Sequence, residues 1–203
     1  METTDPLLVP VGHDVGALSG RCHQIRAGMD LVELTDPEYV LWLLAHGNDE
    51  DERPTRTSVL TLAEQVGFSS LDTGPIVDQL ISDGLLAEVA PEADSAVGFA
   101  ERHQLVPLMM GLGPDQEQPG LQTIGLLGRP IAQVSDAVYD LWVWAQLTPQ
   151  LWVACQHAAE VARRVGVTGH AETEAREVLT GILRSLHGLL GVRAAYVDRR
   201  GLA

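Results

Sequence analysis

Between Thr57 and Glu88, apolar side chains fall twice at helical spacing and then once at strand spacing. Val59, Leu62, Ala63 and Val66 follow the i, i+3, i+4, i+7 period of a helix with one buried side. Thr61 and Glu64 have the spacing of a capping box, Thr57 or Ser58 serves equally as the N-cap, and Gly67 suits a left-handed residue at the helix end. Ile76, Val77, Leu80 and Ile81 form the inward stripe of a second helix. That helix is expected to begin near Thr73-Gly74-Pro75, since proline in the first turn loses no hydrogen bond, and Gly84 stops it. Leu85 to Val89 then predicts a strand, with Pro91 to Asp94 as its turn.

Upstream, residues 1–29 read as an arm in which Pro6 to Val11 predicts an edge strand, the place where prolines are tolerated. Asp30 to Leu34 alternates and is expected to pair with the strand after Gly84. Thr35-Asp36-Pro37-Glu38 is a helix start with a capping box, and Tyr39 to Ala45 is apolar nearly all round, which places that helix in the interior. Asn48 to Glu52 reads as a solvated acidic connector. Ala96 to Gly113 is the least legible stretch: Met109 and Met110 are expected as core filling, Gly111 to Gly120 as a long turn or boundary, and Leu121 to Leu126 as a strand. From Ser135 onward the pattern is helical. One helix carries Ala137, Val138, Leu141, Trp142, Trp144 and Ala145. The next starts at Thr148-Pro149 with Leu151, Trp152, Cys155, Ala158 and Val161 inward, and the last runs from Ala175 to Leu190 before the strand-like Val192 to Asp198. The expected fold class is α+β, predominantly helical, with an arm over 1–29, a helix-turn-helix domain over 30–107 and a helical domain over 108–203. The long stripe of the last helix fits either packing within the chain or a homodimer.

Charge changes this picture most. The net charge is −15, and between Asp30 and Asp94 fifteen acidic residues face two arginines. The helix expected over Thr73 to Asp83 carries Asp78 and Asp83 and no basic residue, so it should repel a duplex, whose affinity for proteins comes largely from neutralised phosphates. Asp72, Asp78, Asp83 and Glu88 are instead candidate contacts for a basic protein or peptide partner. The thirteen basic residues are all arginine, which excludes lysine Schiff bases and a P-loop lysine within the chain. No catalytic residue, metal ligand or cofactor is assigned. Arg21-Cys22-His23 lacks a second ligand pair, and nothing in the sequence brings Asp136, Asp140, His103, His157 or His187 together. Trp142, Trp144 and Trp152 are candidates for an apolar pocket. No apolar run reaches the ~18 residues of a membrane span and no signal-like segment opens the chain, so a cytoplasmic location is expected.

The order DLVEL, TDPEYVLWLLAHG, TLAEQVG, GPIVDQLISDG, LLAEV resembles the winged helix-turn-helix superfamily over roughly residues 30–95. Its acidic character is similar to that of the small winged-helix domains that recognise leader peptides during maturation of ribosomal peptides. That resemblance implies a peptide adding a strand at the wing edge and packing on the third helix. It lies in pattern rather than in a motif, so no residue role is carried over. The function expected is non-enzymatic docking of a protein or peptide in a regulatory or biosynthetic complex. A dimeric DNA-binding regulator is the alternative, favoured by fold and opposed by charge, and an enzyme with an unrecognised site is third.

Overall fold

A computed structural model describes residues 5–18, 22–47 and 53–200, and the acidic connector at Asn48 to Glu52 and Arg21 lie outside them. The first helix forms where its capping signal places it: α1 (Asp36–Leu44) follows Thr35, whose N–H donates to the Glu38 carboxylate at 2.7 Å. Its Leu41 and Trp42 are buried. The next two helices start earlier than the pattern suggests. In α2 (Arg56–Gln65) Thr55 is the N-cap, its hydroxyl accepting from Ser58 N–H at 3.2 Å. In α3 (Ser70–Ser82) Pro75 lies inside the helix instead of opening it, and the buried Thr73 precedes it.

The chain divides into two units, residues 1–90 with 197–203, and residues 91–196. In the first, the expected amino-terminal strand forms as β1 (Leu7–Pro10) and pairs antiparallel with β5 (Leu86–Val89). The rest of the expected arm folds too, as β2 (His13–Leu18) and β3 (Cys22–Ala27), which with β4 (Asp30–Leu34) make a sheet in the order β2-β3-β4. Asp30 to Leu34 therefore pairs with β3 and not with the strand after α3, because the two-residue loop Gly28-Met29 folds it directly back. The core under this sheet contains Leu8, Ile25, Trp42, Val59, Val77 and Leu80.

In the second unit Pro91 to Asp94 leads into α4 (Ser95–Arg102) rather than a returning wing strand. There follow β6 (His103–Pro107), a sheet of β7 (Met110–Pro114), β8 (Leu121–Leu126) and β9 (Arg129–Ser135), then α5 (Asp136–Trp144), a 3-10 turn (Ala145–Leu147), α6 (Leu151–Arg164), the short α7 (His170–Thr173) and α8 (Ala175–Gly191). The last strand, β10 (Ala195–Arg199), pairs with β6.

Predominantly helical is thus the wrong description. Among the described residues 46% are helix and 29% strand, the strands lying in four small antiparallel sheets, and the carboxy-terminal half is not a helical subdomain. Glycine misled the expectation: Gly111 and Gly113 signalled a loop, whereas Gly113, at φ +91°, forms a bulge within a strand. Met110 is half exposed on that strand and Val161 is exposed on α6, so neither fills the core. The stripe of α8 is covered within its own chain: Leu179, Ile182, Leu183, Leu186, Leu189 and Leu190 are all buried.

The two units repeat one another. Apart from α4 ahead of β6, the 3-10 turn and the short α7, each runs strand, three-stranded meander, three helices, and a strand returning to pair with the first. Their registers agree in detail. Asp14 faces Ile25 before a shift to Gly16 and Gln24, as Gly111 faces Ile124 before a shift to Gly113 and Thr123, and both bulge glycines have positive φ. Val11 N–H donates to the Leu85 carbonyl at 2.9 Å, as Leu108 N–H does to that of Ala194 at 2.9 Å. The third helix of each unit ends in a left-handed residue, Gly84 or Arg193, followed by a 2.8 Å bond from Leu85 to Leu80 or from Ala194 to Leu189.

Candidate functional site

Strand β4 forms one edge of the three-stranded sheet of the first unit. Strand β4 has β3 on one side and, among the described residues, no strand on the other. Ala27 and Asp30 close a two-residue loop, so alternation of bonded and non-bonded pairs puts Leu31 and Glu33 at the positions whose backbone N–H and C=O point away from β3. Leu31 is 55% exposed and Met29 in the loop 90% exposed, whereas Val32 packs against the core and Leu34 is buried. Glu33 accepts from the Gln24 amide at 3.2 Å across the same strands. The opposite edge, β2, is bulged at Gly16, a distortion that discourages further pairing.

A titratable cluster joins β2 and β3 to α1. Tyr39 Oη donates to Asp14 Oδ2 at 2.6 Å, its ring stacks on His23 with centroids 3.6 Å apart, and His23 Nε2 stands 3.5 Å from Asp36 Oδ1. Cys22, half-buried, has its thiol held up first by burial and then by the Glu33 carboxylate.

Of the carboxylates proposed from sequence, Asp72, Asp78 and Asp83 lie on α3 or at its end and Glu88 lies on β5. Asp78 and Glu88 share Arg56, by a close ion pair with Asp78 and at 3.6 Å with Glu88. The bond to Asp78 is the main reason that the guanidinium is held above its ordinary range. Asp83 accepts from Gln79 at 2.9 Å, and Asp72 is exposed on the first turn of α3. Arg199 donates to the carbonyls of Asp83 and Gly84 at the carboxy-terminal end of α3, a favourable place for a cation, and approaches Asp30 at 3.9 Å. Arg26 pairs with the buried Asp198 at 3.2 Å. Arg56 and Arg199, from distant segments, thus do reach α3, but each of the three arginines meets a carboxylate, and no cationic ridge results among the described residues.

In the second unit Trp142 is buried with its indole N–H on the Ala194 carbonyl at 3.1 Å, Trp144 is 61% exposed, and Trp152 is half-buried. Asp136, at the start of α5, accepts from Gln122 at 2.8 Å, and the Asp140 carboxyl is raised by burial and by Asp136. Cys155 is buried, which pushes its thiol up to about 12. His46 and His103 set ring nitrogens against the carbonyls of Trp42 and Phe99 at 3.0 and 2.8 Å, each four residues earlier. Among the described residues no group of three His, Cys, Asp or Glu side chains could hold a metal ion, and no helix is long and apolar enough to cross a membrane.

Sequence reasoning missed the repeat, and the signal was present. Thr35 to Ala45 and Ser135 to Ala145 share Asp, Tyr, Leu, Trp and Ala at five of eleven positions, one hundred residues apart. Against protein-family models, curated proteins and solved structures, the chain has no match.

Proposed function

We propose that the first unit is a non-enzymatic docking module that takes up a basic polypeptide segment as an added strand along β4, within a regulatory or biosynthetic complex. The observation that carries this reading is the regular open edge of β4, with exposed Leu31 between Asp30 and Glu33. Strand addition supplies main-chain bonds, and side chains alternating along the edge supply specificity. Charge selects the occupant: the first unit carries seventeen acidic and six basic residues, a net of −11, against −4 for the second. A field of that sign attracts an Arg- or Lys-bearing segment and opposes both duplex DNA and pairing of β4 with a second copy of itself.

Selection from a library of random displayed dodecapeptides tests this. The recovered pool should be enriched in basic and β-branched residues, its binding should weaken with salt, and Glu33→Arg should reduce it at least tenfold. A random DNA duplex at ~50 mM salt should give no shift. A pool without basic enrichment, or capture indifferent to Glu33→Arg, contradicts the proposal.

A further inference from the structure

The internal repeat supplies a comparison within one molecule. Aligned through their two-residue loops, β3–β4 and β8–β9 match position by position: Ala27 with Leu126, Asp30 with Arg129 and Leu31 with Pro130. After one extra residue, Ile131, Val32 corresponds to Ala132 and Glu33 to Gln133. The meander geometry is kept while the chemistry of its outer edge is not.

Three changes fall on that edge. Pro130 stands where Leu31 directs an N–H away from the sheet, and proline has none to give. The register shift between Ile124 and Gly125 leaves Ile131 without a cross-strand partner, so the edge strand is itself bulged, a recurrent guard against strand addition. Arg129 and Gln133 replace two carboxylates, which removes the attraction for a basic segment and sets a like charge against it. Gly125, in the place of Arg26, fixes the distortion: a Cβ there would lie 2.3 Å from the Arg129 carbonyl oxygen.

The titratable cluster diverges in the same direction. Gln122 bonds Asp136 where His23 meets Asp36, and Gly111, against which the Tyr139 hydroxyl packs, occupies the place of Asp14. The second unit keeps the scaffold and the helix-start carboxylate, Asp136, but has neither the Asp14 carboxylate nor the His23 imidazole.

We infer that the two units are diverged copies of one module and that only the first retains a usable docking edge, so that each chain takes up one basic segment. This rests on strand addition at β4. The test is the stoichiometry of the full chain with a synthetic decapeptide of alternating arginine and valine, read by native mass spectrometry and titration calorimetry. One equivalent is expected, weakened at least tenfold by Leu31→Pro, or by Glu33→Arg if circular dichroism shows the proline variant unfolded, and unchanged within twofold by Gln133→Arg. Two equivalents, or one equivalent surviving the first-unit variants, would place binding at the shallow depression along Pro130 to Gln133 or elsewhere and overturn the single-edge inference while leaving peptide docking standing. No binding by the native chain removes docking itself and the inference with it.

Discussion

At the scale of single residues, the repeat turns several substitutions into paired experiments. Tyr39→Phe removes a 2.6 Å bond to Asp14 and should cost about 1 kcal/mol in urea denaturation, whereas Tyr139→Phe, facing Gly111, should cost close to nothing. Asp198 is buried and accepts from Gly28 N–H at 2.7 Å, Arg199 N–H at 2.9 Å and Arg26 at 3.2 Å. Asp198→Ala leaves these donors facing a cavity and should destabilise the first unit by about 2–4 kcal/mol. Asp115 has its carboxyl held below the usual range, chiefly by the backbone N–H of Gln118 and then of Glu117. Its folded-state pKa is depressed, so the stability it contributes is present above the unfolded value of about 3.9 and is lost as pH falls through the lower folded value. A pH series of melting temperatures should show that loss in native protein and a smaller one in Asp115→Asn. The buried Cys155 thiol, pushed up to about 12, should resist a disulfide reagent at pH 8 until the protein unfolds.

At the scale of elements, what the sequence disclosed follows from which forces are local. Thr35 with Glu38, Ser135 before Val138, and the apolar spacing of α8 are set within a few residues, and those helices lie where their patterns place them. The first residues of α2 and α3 lie upstream of where the pattern puts them because Thr55 with Ser58 forms a capping box ahead of the residues the pattern suggests, and because α3 accommodates Pro75 in its interior. Strand partners depend on distant residues: β5 bonds to β1, some eighty positions earlier, and not to a wing. The open edge of β4 was invisible for the same reason. Its existence depends on what does not pair with it, and alternation in Asp30 to Leu34 reports only a half-buried strand. The candidate carboxylates were legible as charge but not as partners, since Arg56 lies more than twenty residues from Asp78.

At the scale of the whole chain, one module occurs twice, and its two copies carry unequal charge, −11 and −4. Duplication accounts for the returning strands, the matched bulges and the recurring Asp, Tyr, Leu, Trp and Ala, and divergence at the sheet edge accounts for where the copies differ in chemistry. The most direct test is backbone amide hydrogen exchange of the full chain with and without the alternating arginine–valine decapeptide. Protection should rise at Leu31 and Glu33 and stay unchanged from Ile131 to Gln133. Protection confined to α3, equal at both edges, or absent from β4 would contradict strand docking at the first unit.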